Sequence, residues 1–129
     1  MILLDTHVLV WARGEPRKLS RAAEAAIRRA RDSEALAVSV MTVVECAMMI
    51  RRGRMRSTTS IAGTIAELTE SVTVLPVTRE IAIESAYLPE GFNSDPADRL
   101  IAATARVEGI PLVTADERIL GCSSIKTIW

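Results

Sequence analysis

Four acidic residues lie at the ends or in the middle of strongly apolar segments of this chain. Asp5 ends "ILLD" and Asp116 ends "LVTAD", Glu45 is the only charged residue in "ALAVSVMTVVECAMMI", and Asp98 precedes the apolar run of "SDPADRLIAATA". Two like charges about 4 Å apart repel by about 4 kcal/mol at an effective dielectric of about 20. Carboxylates that converge in a fold therefore hold protons or bind a divalent cation.

The aspartates also have a structural interpretation. An aspartate after a strand commonly forms a turn or caps a helix. The sequence alone is therefore compatible with a structural or a chemical role for Asp5 and Asp116. Asp95 directly precedes Pro96 and suits the cap position of the following helix. Asp98 could form a capping box only if Ser or Thr stood at the cap, and the cap residue is Asp95. Asp98 is therefore the better candidate for a site.

Glu45 is harder to explain structurally, because a carboxylate carried into an apolar core is costly unless it finds a cation. No Lys or Arg stands within one helical turn of it, and Arg51 and Arg52 lie more than a turn further on. An arginine from another element or a metal ion could satisfy the charge.

The donor types favour a hard divalent cation. All-oxygen ligands are typical of Mg²⁺ or Mn²⁺ sites, and His7, the only histidine, is too little for a zinc site. With one or two such ions, a carboxylate cluster generates hydroxide and stabilises both oxygens of an in-line phosphoryl displacement. The substrate class that this chemistry indicates is a phosphodiester.

Apolar, β-branched segments alternate with helical segments along the chain. Ser20 and Thr78 are predicted N-caps, and Gly53 and Gly109 are predicted C-terminal stops. The predicted strands are 2–5, 35–39, 72–77, 111–116 and 125–129, and the predicted helices are 20–33, 41–53, 57–71, 78–88 and 96–109.

This alternation predicts an α/β fold. Short strands that are apolar on both faces suit a parallel sheet covered by helices on both sides, so we predict a three-layer α/β/α sandwich. In open parallel sheets, ligands bind outside the carboxyl ends of the strands, where the strand order reverses. Asp5 and Asp116 end strands at this edge, which is therefore the predicted site.

The composition is typical of a globular domain, with 49% hydrophobic and 25% charged residues in 129, and we expect one domain over residues 1–129. No apolar run reaches the roughly 18 residues of a membrane span. The N-terminus lacks the basic region of a signal peptide, so we expect a cytoplasmic protein. Cys46 and Cys122 have no CxxC spacing and are expected to be reduced.

A net charge of zero hides two halves of opposite charge. Residues 13–56 hold eleven Lys and Arg against five Asp and Glu, whereas residues 67–117 hold three Arg against ten Asp and Glu. This asymmetry fits a polyanion-binding face beside a cation site, or simply two solvated helix faces. The segment "RRGRMR" also has two interpretations: it is a solvated helix end, or it contacts RNA phosphates or a partner. Its arginines are Arg51, Arg52, Arg54 and Arg56.

Five segments together resemble the PIN-domain ribonucleases, and more closely the VapC-type toxins of toxin–antitoxin pairs. They are "LLDTHVLVW", "SVMTVVE", "DPADRLIAATA", "PLVTADERI" and "IKTIW", which span essentially the whole chain in the family's order. The resemblance implies a short parallel sheet with strand order 3-2-1-4-5. It also implies a Mg²⁺- or Mn²⁺-dependent endoribonuclease that a cognate antitoxin holds inactive. With the high apolar content, it predicts a homodimer.

The resemblance also assigns residues. By the family pattern, the metal-site acids are Asp5, Glu45, Asp98 and Asp116, and Thr6, Ser39 and Thr114 match polar positions near that site. Two positions depart from the pattern: Val44 stands where a Trp is frequent in close relatives, and Asn93 stands where a His is common. Neither position carries a metal ligand, so these departures bear on substrate choice or antitoxin fit.

Two other functions use some of the same residues. An aspartyl-phosphate enzyme would also place Asp5 beside Mg²⁺, but it normally needs a lysine near the phosphate. The chain has only Lys18 and Lys126, and "DTH" lacks the second aspartate of the phosphatase motif. A non-catalytic PIN fold that only binds RNA would be marked by the loss of an acid, and all four acids are present.

Overall fold

The computed structural model describes residues 1–57 and 59–129 as a parallel five-stranded sheet flanked by helices. The strands are β1 (Ile2–Leu4), β2 (Leu36–Ser39), β3 (Thr73–Leu75), β4 (Leu112–Val113) and β5 (Thr127–Ile128). The helices are α1 (Thr6–Gly14), α2 (Arg21–Asp32), α3 (Val40–Arg51), α4 (Ile61–Leu68), α5 (Arg79–Ala86), α6 (Pro96–Glu108) and α7 (Glu117–Leu120), with a 3₁₀ turn at Pro16–Lys18.

The strand order is β3-β2-β1-β4-β5, as the resemblance implied. The chain starts in the centre, runs outward to β3, and then returns to build β4 and β5 on the other side of β1. The order therefore reverses between β1 and β4, which are paired through Leu3 with Leu112 and Leu4 with Val113.

Side chains alternate between the two faces of the sheet and fill two separate cores. Leu4, Val38 and Val113 belong to one core, which α1, α2, α3 and α4 cover. Their strand neighbours Leu3 and Leu112 belong to the other core, which α6 and α7 cover. Two cores on opposite faces of one sheet confirm the predicted three-layer α/β/α sandwich.

The predicted helix caps are confirmed. The side chains of Ser20, Thr78 and Asp95 accept hydrogen bonds from backbone amides in the first turns of α2, α5 and α6. Gly109 ends α6 in the left-handed conformation with φ of 65°, and Gly53 follows α3 with φ of 70°. These positions were readable because cap and stop signals depend on local sequence.

Three predictions of elements were wrong in extent or missing. The predicted helix at 57–71 is the shorter α4, which begins after its cap Ser60, and Thr58 lies outside the described residues. Neither α1 nor α7 was predicted, although each begins directly after a candidate acid, Asp5 or Asp116. Across residues 1–57 and 59–129, no helix is long and apolar enough to cross a membrane.

Candidate active site

Three of the four predicted acids line one cleft at the carboxyl ends of β1 and β4, where the strand order reverses. The cleft has a volume of about 410 Å³. The general rule for open parallel sheets had selected this edge. The side chains that line it are Asp5, Asp98 and Asp116, with His7, Trp11, Ala115 and Arg118.

Thr114 joins two of these acids. Its hydroxyl donates to Asp5 Oδ2 at 2.7 Å and accepts from the Asp116 amide at 3.0 Å. Asp5 Oδ1 also accepts from the Thr6 amide at 2.8 Å, as the cap of α1. Only 7% of Asp5 is exposed. A single buried hydroxyl thus sets the position of Asp5 relative to the end of β4.

Glu45 lies beside the cleft and is connected to it through Thr6. The Thr6 hydroxyl donates to Glu45 Oε1 at 2.6 Å and lies 3.2 Å from the Thr42 hydroxyl. The expectation that Glu45 enters the apolar core was wrong, because its side chain is only partly buried and lines the neighbouring groove. Its helix α3 packs against α1 and α6, which directs this face of α3 toward the site.

Asp98 sits in the first turn of α6, and Asn93 holds it. The Asn93 side-chain amide donates to Asp98 Oδ2, and its carbonyl accepts from the Asp95 amide at 2.9 Å. Asn93 is buried, with 5% exposure. Arg99 fixes the preceding loop by donating to the carbonyls of Ser85, Leu88 and Asn93.

The acids differ in how readily they ionise. Burial, together with the charges of Asp5, Asp95 and Glu45, raises the pKa of Asp98 from 3.8 to about 7. Burial likewise raises the pKa of Asp5 and of Glu45, although the Thr114 and Thr6 hydroxyls oppose the shift. A bound cation would relieve the repulsion between the carboxylates that contributes to these raised pKa values, and it would compete with protons for the same oxygens.

Asp116 behaves in the opposite way because it has a cation of its own. Burial alone would raise its pKa, but hydrogen bonds from Arg118 lower it below the usual value. Arg118 Nη2 lies 3.1 Å from Asp116 Oδ2 and Nε lies 3.3 Å from Oδ1, so the pair is bidentate. The Arg118 side chain is 60% exposed at the mouth of the cleft.

The donor set fits a hard divalent cation, because it consists of carboxylates whose like charges raise one another's pKa. Within residues 1–57 and 59–129, no three His, Cys, Asp or Glu side chains stand in a geometry that could hold a metal ion. Asp98 is turned toward Asn93 and Asp116 toward Arg118.

Sequence reasoning missed three polar contacts of the site. Thr42, Asn93 and Arg118 touch Thr6, Asp98 and Asp116, respectively. Arg118 was detectable from its spacing, two residues after an acid that begins a helix. Ser39, a predicted neighbour of the site, caps α3 through a hydrogen bond from the Met41 amide at 3.1 Å.

A groove of about 660 Å³ adjoins the cleft between α1, α3 and the start of α6. We call it the methionine groove, because Met41, Met48, Met49 and Met55 line it together with Val10, Trp11 and Val44. His7 and Trp11 line both the groove and the acidic cleft. The methionines of α3 therefore border a cavity.

The four arginines of "RRGRMR" are not equivalent. Arg52 and Arg54 line the methionine groove. Arg56 lines a different cavity, formed mainly by α1 and α4. Arg51 is exposed at the end of α3. Only two of the four therefore border the groove that leads to the acids.

Comparison with known proteins gives matches that cover nearly the whole chain. A model of the PIN domain matches residues 2–121. Ribonuclease VapC22 of Mycobacterium tuberculosis is 38% identical over 118 residues, which are 92% of this chain and 88% of that protein.

Solved structures share the fold at low sequence identity. VapBC2 from Rickettsia felis, bound to a promoter DNA fragment, superposes with a TM-score of 0.76 at 15% identity, over 98% of this chain and 97% of that one. FitAcB from Neisseria gonorrhoeae superposes with a TM-score of 0.70 at 20% identity, over 98% and 96%.

Proposed function

The chain belongs to the PIN domain family, and on that premise we propose that it is a divalent-metal-dependent endoribonuclease, the toxin of a toxin–antitoxin pair, with residues 1–129 as one PIN domain. The observation that carries the proposal is the meeting of Asp5, Asp98 and Asp116 in one cleft, with Glu45 tied to its edge through Thr6. The ribonuclease activity named for the 38% identical relative supports the same reaction.

Asp5, Glu45, Asp98 and Asp116 are the proposed ligands of Mg²⁺ or Mn²⁺. When bound, the metal supplies an activated water and neutralises charge on the phosphate oxygens. The chain contributes orientation: Thr114 fixes Asp5 and the backbone at Asp116, and Thr6 fixes Glu45. Outer contacts of this kind typically change metal affinity or activity by about 10–100-fold when they are removed.

The function is tested by cleavage of RNA with purified protein under controlled metal content. We expect cleavage of a single-stranded RNA with Mg²⁺ or Mn²⁺, and none after EDTA treatment, because hard cations prefer this oxygen-only donor set. Adding Mn²⁺ back should restore cleavage. Cleavage that persists at the same rate in EDTA would contradict the metal-dependent mechanism.

An aspartyl-phosphate mechanism fits the cleft less well. That chemistry normally needs a lysine near the phosphate, and the seven side chains that line the described cleft include none. Lys18 lies over the Trp11 ring, and Lys126 lines a separate cavity with Arg106. Among the seven lining residues of the described cleft, Arg118 is the one Lys or Arg, and a guanidinium suits phosphate binding rather than proton transfer.

The methionine groove is the proposed contact for the antitoxin. Methionine side chains adapt to a partner surface, and a groove that they line between helices suits the apolar face of a partner helix. Solved structures with this fold include VapBC toxin–antitoxin complexes, which supports the choice of partner. Val44, a position where the chain departs from close relatives, is 46% exposed in this groove, so it would affect antitoxin fit.

We also propose a homodimer. Ile83 and Tyr87 lie one turn apart at α5 with exposures of 52% and 72%, and Val74 on the edge strand β3 is 40% exposed. Large apolar side chains that are exposed on a small domain favour a further contact surface.

Arg52 and Arg54 are expected to bind RNA phosphates at the mouth of the groove. Replacing both with glutamine should weaken RNA binding and lower the slope of log K against log salt by about 1.4, because each phosphate contact on a single strand contributes about 0.7. The measurement is a salt series of RNA binding in the presence of Mg²⁺.

The matched control is the double substitution of Arg28 and Arg29, two exposed arginines on α2 that do not line the groove. It removes the same charge and should leave the slope nearly unchanged. If the slope changed equally in the two double variants, "RRGRMR" would be a solvated helix end and not an RNA contact.

A further inference from the structure

His7 and Trp11 line the acidic cleft, and the ring of Trp129 lies next to that of Trp11. The chain has only two tryptophans and one histidine, and all three are here. The ring centroids of His7 and Trp11 are 5.9 Å apart, and those of Trp11 and Trp129 are 6.0 Å apart. Aromatics make up only 3% of the chain, so their concentration at one place is informative.

The position of α1 explains why two of these rings face the site. Asp5 caps α1, and His7 and Trp11 follow on one face of the helix, one turn apart. That face borders both the cleft with the acids and the methionine groove. Trp129, after β5, packs partly against the core and supports Trp11 from the side.

Cations flank the rings. The Lys18 ammonium group lies 5.7 Å from the centroid of the Trp11 ring, and its side chain is 47% exposed. Arg118 is among the residues that line the cleft with Trp11. Each cation has an acidic partner at the surface, Glu15 for Lys18 and Asp116 for Arg118.

We propose that His7, Trp11 and Trp129 form a base-stacking platform that binds an unpaired nucleotide of the RNA next to the phosphodiester that is cleaved. The inference rests on the proposed ribonuclease function and assigns these three side chains to substrate binding. Stacking needs an exposed base face, which a duplex hides. Lys18 and Arg118 would contact the phosphates on either side of the stacked base.

RNA fits this platform better than a partner protein does. His7 and Trp11 line the acidic cleft, where the phosphodiester must bind, and Lys18 and Arg118 near them complement a polyanion. The methionine side chains, which suit a protein helix, line the adjoining groove and not the cleft.

The first experiment measures RNA binding with Mg²⁺ in the Asp98→Asn background, which prevents cleavage. The probes are a short single-stranded RNA of mixed sequence and the same strand annealed to its complement. Trp11→Leu removes the ring but keeps an apolar side chain, and Trp11→Phe keeps a smaller ring. We expect Trp11→Leu to bind the single strand roughly five- to hundredfold more weakly, and Trp11→Phe to lose less. Duplex binding should be nearly unchanged.

The control is Val107→Ala, because Val107 is 42% exposed and lines neither the cleft nor the groove. Binding should not change in this variant. In the parent background, Trp11→Phe should raise KM for the single strand while kcat stays within about twofold, since the interaction acts on substrate binding. A purely structural role of Trp11 would lower the melting temperature and kcat instead.

The outcomes separate this inference from the proposed function. If the parent cleaves RNA but Trp11→Leu and Trp11→Phe bind the single strand as tightly as the parent, the platform is wrong and the ribonuclease stands. If they bind RNA normally but lose the antitoxin, the rings are a partner contact and the platform is again wrong. If the parent neither binds nor cleaves RNA, both proposals fail.

Discussion

Replacing Asp98 with asparagine should reduce RNA cleavage at least about a hundredfold, since loss of a direct ligand should cost no less than loss of an outer contact. The substitution removes one negative charge and little volume. The pKa of Asp98 is raised to about 7, because the side chain is partly buried beside other carboxylates. Removing its charge should therefore leave the folded state at least as stable. The measurement combines a cleavage assay with a thermal melt.

Asp95→Asn is the matched control for this prediction. Asp95 is three residues away and caps α6 by accepting from the Ala97 amide at 2.8 Å and the Asp98 amide at 3.4 Å. Asparagine caps helices about as well as aspartate does. The control loses the same charge near the same site, yet it should keep cleavage within a few-fold. If Asp98→Asn cuts RNA at the parent rate, Asp98 is not a ligand.

Local signals explain which parts of the fold could be predicted. The caps at Ser20, Thr78 and Asp95 were readable because a short polar side chain before an apolar periodic segment has one common use. The edge that carries the site followed from alternating strands and helices and from the general rule on parallel sheets. The strand order itself came only from the resemblance.

Long-range contacts explain most of what could not be predicted. "THVLVW" is apolar and rich in β-branched residues, so apart from the cap Asp5 little in the local sequence marks it as α1. Its side chains Val8 and Leu9 pack into the core beside β1 and β2. Glu45 reads as buried because its neighbours in sequence are apolar, yet the face of α3 that carries it borders a groove. The contact of Asn93 with Asp98 depends on a loop that Arg99 holds through three carbonyls.

Divalent metal should stabilise the protein in a pH-dependent way. The pKa of Asp98 is raised from 3.8 to about 7, so between these values the folded state holds a proton that the unfolded state has lost. Burial raises the pKa of Asp5 and Glu45 in the same direction. The free energy of unfolding without metal should therefore fall as pH rises through this window. The pKa of Asp116 is shifted in the opposite direction, because Arg118 lowers it. The stability that ionised Asp116 contributes to the fold is therefore lost only at more acid pH.

Metal binding to the folded state should reverse this loss. A ligand at about a hundredfold excess over its Kd stabilises the folded state by about 2.7 kcal/mol. Protons compete for the carboxylates at acid pH, so the Mn²⁺-induced rise in melting temperature should be small at pH 5 and largest above about pH 7. The measurement is a thermal melt with and without Mn²⁺ across this pH range.

Asp5→Asn should remove most of the Mn²⁺ effect without loss of the fold. Asparagine can still cap α1 and accept from the Thr6 amide, but it supplies no charge for a cation. It also relieves repulsion with its neighbours, so stability without metal should depend less on pH. Asp32→Asn, at the exposed end of α2, removes the same charge far from the cleft and should keep the full response. An Mn²⁺ shift of equal size in both variants would mean that Asp5 does not bind the ion.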